Sequence, residues 1–329
     1  MMRVLSGIQP TGKYHIGNYL GAIKHWIKLQ EEHECLFFVA DLHAITIPQD
    51  PEELRKATLQ KVIELVALGI NTERCSLFIQ SHIQEATELA WIFSTLTPIG
   101  ELERMTQYKD KKNKTKDSAN AGLFLYPSLM AADILLYKAE GVPVGQDQLQ
   151  HLELTRETGR RFNKRFGEIF PIPKAMLPEM GAKILSLSDP KRKMSKSDPL
   201  DSQILLLDEP DAIHKKIARA VTDRGTVVSY DPAKKPGISN LITIYSLFAD
   251  VSIKKVERKF AKKGYAVFKK ALADLLVHKL EPFRKKYAEL NSREVYIEEI
   301  IRQGAKRAHS LAQNTMAEVR EKVGFLPSA

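Results

Sequence analysis

Short, largely apolar runs alternate with longer amphipathic stretches through the first eighty residues. Residues 2–8, 35–40 and 75–79 are such runs, each closed by turn or polar residues. They are too short for buried helices and read as strands covered on both faces. Between the first two lies the turn Gln9-Pro10-Thr11-Gly12-Lys13-Tyr14, followed by a predicted helix from about 15 to 30. Between the second and third, Asp50-Pro51-Glu52-Glu53 gives an N-cap, a first-turn proline and early acids, and Gly69 gives a stop. Strands alternating with helices at this spacing predict parallel βαβ units and a doubly wound α/β sheet. Beyond residue 90 the pattern turns mostly helical, broken by a lysine-rich polar loop at 108–122. Residues 127–139 predict a helix that is apolar nearly all round, and 142–144 a short strand leading to a helix from about 147. A further strand is expected at 184–187. From 210 onward the chain reads as helical, and the last helix, 305–323, sets Ala308, Leu311, Ala312, Thr315, Val319 and Val323 on one face.

A length of 329 residues suggests two domains, and 43% apolar with 27% charged residues is a globular composition. No run approaches the ~20 apolar residues of a membrane span, and the N-terminal residues lack the pattern of a secretory signal. Cys35 and Cys75 each sit inside an apolar run. Two such thiols cannot build a disulfide framework, a four-thiolate zinc site or an iron–sulfur cluster, and they fit the core of a reduced, cytoplasmic protein. The net charge is +10, of which +9 falls in residues 207–329. Within 254–286, 12 basic residues face 3 acidic ones, in pairs at helical spacing. That points to a polyanionic partner, against the alternative of a solvated lysine face.

Two segments carry candidate chemistry. His15-Ile16-Gly17-Asn18 stands where a helix starts after the first strand. A helix start offers free N–H groups and a favourable dipole to phosphate. Gly17 would let a planar base lie against the backbone, and His15 and Asn18 could reach phosphate oxygens. Lys193-Met194-Ser195-Lys196-Ser197 places two lysines and two hydroxyls on a loop. Such a loop suits a leaving pyrophosphate, whose charge grows as its bond breaks. Each segment alone has a plain structural reading, as a polar helix start and as an exposed basic loop. Asp133 is the only charged side chain in Leu129-Met130-Ala131-Ala132-Asp133-Ile134-Leu135-Leu136. A buried carboxylate needs a partner, which could be an indole N–H, a buried arginine or a turn.

Together the two segments resemble the paired signatures of the class I aminoacyl-tRNA synthetases. Asn18 departs from the usual closing histidine of the first signature and matches the tryptophan branch. Ser6-Gly7-Ile8-Gln9-Pro10-Thr11-Gly12, Gly100-Glu101-Leu102-Glu103-Arg104-Met105-Thr106-Gln107 and Met130-Ala131-Ala132-Asp133-Ile134-Leu135 are similar to bacterial tryptophanyl-tRNA synthetases. So are Val142-Pro143-Val144-Gly145-Gln146-Asp147-Gln148 and Pro236-Gly237-Ile238-Ser239-Asn240-Leu241. The likeness runs over essentially the whole chain.

The resemblance implies a Rossmann-like catalytic domain over 1–206, with a helical insertion near 85–140 and the lysine loop at 193–197. An all-α anticodon-binding domain would span 207–329, its last helix a candidate to pack back on the catalytic domain. The implied reaction is activation of tryptophan by ATP, with Mg²⁺ held mainly by the ATP phosphates, then transfer to tRNA. By motif, Gln9, Pro10, Thr11, Gly17, Asn18, Gly145, Gln146 and Asp147 would line the ATP site. The backbone of Ile184 and Met194 would hold the adenine edge, and Lys193, Met194, Ser195, Lys196 and Ser197 would close over the phosphates. Lys193, Lys196, His15 and Asn18 are the catalytic candidates. Asp133, Tyr126, Met130, Gln148, Gly7 and His43 are the tryptophan-pocket candidates, with Tyr126 and Gln148 on the α-amino group and His43 supporting other pocket groups. Expected partners are L-tryptophan, tRNA(Trp) and a second copy of the chain, with no membrane and no DNA. The nearest alternative is a tyrosine enzyme of the same class. A more distant one is a small-molecule nucleotidyltransferase, which would have no use for the basic helical half.

Overall fold

The computed structural model describes residues 1–106, 120–177, 184–196 and 198–327. Two compact units emerge: Met1–Thr11 with Trp26–Pro178 and Arg293–Ala329, and Gly12–His25 with Glu179–Ser292. Ser197 and the lysines at 109–116 lie outside the described residues, as does Gln107.

The first unit is built on five parallel strands: β1 (Arg3–Ile8), β2 (Glu34–Val39), β3 (Ser76–Ile79), β4 (Gly141–Pro143) and β5 (Lys174–Met176). Their order is β3-β2-β1-β4-β5, the doubly wound order expected of a Rossmann-like sheet. In β2 every residue from Cys35 to Val39 is buried, which is why the strand reads as an unbroken apolar run. β5 is not evident in the sequence. Pro171 and Pro173 precede it, and a strand beside prolines is tolerated at a sheet edge. The order reverses between β1 and β4, and Ser6 Oγ donates to the Pro143 carbonyl across that pair at 3.0 Å. Ligands of such sheets bind outside the strands' carboxyl ends at this reversal.

Helices follow most of the expected signals. The segment predicted from 15 forms α1 (Ile16–Asn18), a π-helical turn (Tyr19–Ile23) and α2 (Lys24–Glu32). A short helix, α3 (Asp41–Ala44), follows β2. In α4 (Pro51–Leu68), Asp50 accepts from the Glu52 and Glu53 N–H groups, and Gly69 closes the helix at φ 112°. Then come α5 (Glu85–Ser94), α6 (Ile99–Glu103) and α7 (Ala121–Leu136). α7 starts before Pro127 because Asn120 caps it, accepting from Leu123 N–H. α8 (Leu149–Phe166) packs on α7, and Phe162 of α8 forms an edge-to-face cluster with Phe93 of α5 and with Phe170.

The second unit contains α9 (Pro210–Arg219), α10 (Pro236–Ala249), α11 (Ile253–Phe260) and α12 (Gly264–Asn291). Tyr245, Phe260 and Phe268 stack edge-on in its core. Val256 and Phe260 are buried, whereas Lys254, Lys255, Arg258, Lys259, Lys262 and Lys263 are exposed, so the basic pairs form the solvent face of an amphipathic helix and its end. Lys269 is half-buried and donates to the Ala218 and Ala220 carbonyls, closing the end of α9. The strand expected at 184–187 reduces to one antiparallel bridge, Leu185 with Lys193. Asn240 fixes it, accepting from Leu185 N–H at 2.9 Å and donating to the Leu185 carbonyl at 3.0 Å.

The last helix, α13 (Glu294–Val323), belongs to the first unit. It lies on β3, where a Cβ on Gly304 would fall 1.8 Å from the Leu77 carbonyl oxygen. Arg307 donates to the Thr72 and Cys75 carbonyls, and Lys138 pairs with Glu318 at 2.7 Å. The compact units therefore divide at other points than residue 206. Residues 207–329 are basic as a whole, but α13 itself carries five basic and five acidic residues, and its small residues Gly304, Ala308 and Ala312 pack it against the sheet unit.

Candidate active site

Tyr126, Met130 and Asp133 stand four and three residues apart, so they share one face of α7. Asp133 is 3% exposed, and both its carboxylate oxygens accept hydrogen bonds. Gln80, at the carboxyl end of β3, donates from Nε2 to both its oxygens, at 2.8 and 2.9 Å. His43, on α3 at the carboxyl end of β2, places Nε2 2.8 Å from Oδ2. A carboxylate only accepts, so His43 carries a proton on Nε2 here. The His43 ring meets Tyr126 edge-on, with centroids 6.3 Å apart. No buried arginine serves Asp133 among the described residues; its partners are an amide and an imidazole from two strand ends.

Tyr126 bonds His151 Nε2 through its hydroxyl at 2.8 Å, and burial pushes that hydroxyl up to about 12. Gln148 donates to Asp147 Oδ2 at 2.8 Å. The structure thus ties the two residues expected at the α-amino group to His151 and Asp147. Gly7, Gln9, Pro10 and Thr11 lie at the carboxyl end of β1, and Gly145, Gln146 and Asp147 at that of β4, the two strands where the order reverses. A Cβ on Gly7 would strike the Phe38 ring at 2.3 Å, so only glycine lets that ring cross the strand. A Cβ on Gly145 would meet Asp147 Oδ1 at 2.7 Å, so the bare backbone lets the carboxylate fold over it.

Gln80 and His151 were not singled out by sequence reasoning. Gln80 carried a usable signal: it is the first polar residue after a buried parallel strand, where ligand-binding groups collect. His151 is fully buried in α8 and had no signal beyond that.

In the second unit, His15 caps α1. Its Nδ1 accepts from Gly17 N–H at 3.1 Å, and Asn18 Oδ1 accepts from His15 N–H at 3.1 Å. The antiparallel bridge His15–Leu205 and the Ile16 N–H to Ile204 carbonyl bond hold this start in place. Since Nδ1 accepts, the neutral ring keeps its proton on Nε2 and presents a donor there. Burial pushes His15 down to about 4, and the charges of Lys196 and Lys193 push the same way, with Asp198 opposing. Lys196 Nζ lies over the Tyr14 ring, 4.9 Å from its centroid. Its stem crosses Gly12, where a Cβ would stand 2.8 Å from Cδ. Asp198 anchors the loop, accepting from Ser195 N–H at 3.1 Å and pairing with Arg192 at 3.2 Å. Met194 is buried and donates its N–H to the Ile184 carbonyl at 2.9 Å. These two backbones, expected at an adenine edge, are therefore joined to each other. The second unit gathers a capped helix start, a neutral imidazole donor and two lysines into one positive region, suited to phosphate oxygens.

His15 yields an acid-stability prediction. The unfolded ring titrates near 6.5 and the folded one near 4, so the unfolded chain takes up the proton first. The stability held by neutral His15 is complete above about pH 6.5 and is lost as pH falls toward 4, about 3 kcal/mol in all. Asparagine also caps helices, so His15→Asn should show a shallower loss over this window in urea unfolding. Identical pH profiles for the two proteins would contradict the assignment.

The chain is similar to known proteins along its whole length. The family described as tRNA synthetases class I (W and Y) matches residues 1–281. The tryptophan–tRNA ligase of Caldanaerobacter subterraneus subsp. tengcongensis is 50% identical over 327 residues, 99% of each chain. That of Wolinella succinogenes is 48% identical over 325 residues, 98% of this chain and 99% of its own. The solved tryptophanyl-tRNA synthetase of Campylobacter jejuni, complexed with ADP and tryptophan, is 38% identical, with a TM-score of 0.87 over 98% of this chain and 100% of that one. The chain belongs to the class I tRNA synthetases of the tryptophan and tyrosine family, and it is an aminoacyl-tRNA ligase that uses ATP.

Proposed function

We infer that this ligase is a tryptophan enzyme. It activates L-tryptophan with ATP and transfers the tryptophanyl group to the 3′-terminal adenosine of tRNA(Trp). The observation that carries the amino-acid choice is Asp133, a buried acceptor on the apolar face of Tyr126 and Met130. An indole N–H only donates, so a carboxylate is its natural partner. A phenol hydroxyl donates to a carboxylate too, but its oxygen also calls for a donor.

In the first step a tryptophan carboxylate oxygen attacks the α-phosphorus of ATP. An O–P bond forms, the bond to the β-phosphate oxygen breaks, and pyrophosphate leaves. The nucleophile is already an anion, so no general base is required; positioning and charge stabilisation suffice. Asp133 would supply the indole acceptor and Asp147 an acceptor for a ribose hydroxyl. Lys193, Lys196, Asn18 and the His15 Nε2 donor would serve phosphate oxygens. Mg²⁺ enters as part of the nucleotide substrate, carried by the phosphates. In the second step a ribose hydroxyl of the tRNA attacks the carbonyl carbon and AMP leaves.

In this proposal residues 1–206 act as the catalytic domain and 207–329 as the anticodon-binding domain. The exposed lysines of α11 would meet tRNA phosphates, making binding strongly salt-dependent. We also propose a cytoplasmic homodimer. Among the described residues no helix is long and apolar enough to cross a membrane.

ATP–pyrophosphate exchange with tryptophan and with tyrosine, in parallel and without tRNA, tests the reading. Exchange is expected with tryptophan alone. Exchange with tyrosine alone, or with neither, would overturn it.

A further inference from the structure

Gln80 closes a ring of side chains around Asp133. Its Oε1 accepts the His43 backbone N–H at 3.4 Å, which turns its Nε2 toward the carboxylate. That one nitrogen reaches Oδ1 at 2.8 Å and Oδ2 at 2.9 Å, and His43 Nε2 completes the ring on Oδ2 at 2.8 Å. Gln80 is 2% exposed, so these bonds form away from competing water. The two oxygens are not equivalent. Among the described residues Oδ2 accepts from two donors and Oδ1 from one. A carboxylate oxygen offers two lone-pair sites, so Oδ1 is the one with capacity for a further donor.

We propose that Gln80 is a positioning residue for amino-acid selection: it clamps the Asp133 carboxylate so that Oδ1 receives the indole N–H. The terminal torsion of an aspartate is soft and broad, so an unclamped carboxylate would not stay aimed. Gln80 and His43 hold Oδ2 between them, and the glutamine amide bridges to Oδ1 without filling it. This inference deepens the tryptophan reading and rests on it.

The test compares tryptophan with an analogue whose ring N–H is replaced by sulfur, using ATP–pyrophosphate exchange. The unaltered enzyme should prefer tryptophan by about a hundredfold or more. Failure there sinks the tryptophan reading itself, whatever Gln80 does. Gln80→Met keeps length and bulk but removes both polar atoms. Its KM for tryptophan should rise about 10- to 100-fold with kcat changed less than about threefold. The KM for the sulfur analogue should stay put, so the preference collapses. A merely structural role would weaken both substrates together. Gln80→Asn draws the same amide back by one methylene and serves if the methionine variant does not fold; it should lose part of the preference. Full preference retained in either variant, or parallel weakening of both substrates, overturns the proposal.

Discussion

Asp133→Ala is expected to lower kcat/KM for tryptophan-dependent exchange by about a thousandfold, or about 4 kcal/mol of transition-state stabilisation. Two losses add. The indole N–H is buried without an acceptor, and so are the Gln80 and His43 N–H groups that now converge on Asp133. Each unsatisfied buried group costs about 1–3 kcal/mol, so thermal stability should fall as well. Asp133→Asn separates the effects. It keeps the bulk and one acceptor but turns an NH₂ group toward existing donors, so it should lose activity with a smaller drop in melting temperature. The KM for ATP serves as the control, because the role proposed for Asp133 is confined to the indole. A drop in kcat/KM of less than tenfold for Asp133→Ala would remove this carboxylate from amino-acid selection.

Asp133 was legible in the sequence because its chemistry clashes with its neighbours: one carboxylate in an apolar helix demands a partner. The partners themselves were less so. His43 and Gln80 lie 90 and 53 residues away, and only the parallel sheet brings the ends of β2 and β3 to α7. Sequence periodicity reports which face of an element is covered, not by what. The same limit explains the other differences. Asp50, Pro51 and Gly69 act within their own helix, and their signals translated directly. The single bridge at Leu185 is held by the side chain of Asn240, 55 residues away, and the π-helical turn at Tyr19–Ile23 shares the apolar pattern of an ordinary helix. β5 is three residues between prolines and offers no pattern to read. The basic face of the second half was plain from charge alone, yet charge could not tell that α13 packs through Gly304 onto β3. Solvent-facing charges and core-facing small residues sit on opposite sides of one helix, and only the second set decides where it docks.

Lys196→Ala should lower the rate of adenylate formation about 100- to 1,000-fold, with the KM for tryptophan changed less than about threefold. The split follows from when the charge is needed. In the proposed reaction tryptophan is held by Asp133 and its neighbours, whereas negative charge on the leaving pyrophosphate builds only as the bond breaks. The lysine is placed rather than merely present: its stem crosses Gly12, which has φ 78° and no Cβ, and its ammonium lies over the Tyr14 ring. Lys196→Arg should restore little, because a planar guanidinium neither follows that path nor concentrates its charge at one point. An independent readout comes from His15, whose pKa is lowered first by burial and then by Lys196. In Lys196→Ala the His15 imidazole should titrate above its present value of about 4, observable by NMR without any substrate. A His15 shift with an undiminished single-turnover rate would mean that Lys196 shapes the local field but takes no part in pyrophosphate departure. Loss of rate with no His15 shift would mean that the lysine acts only after the nucleotide has rearranged the loop.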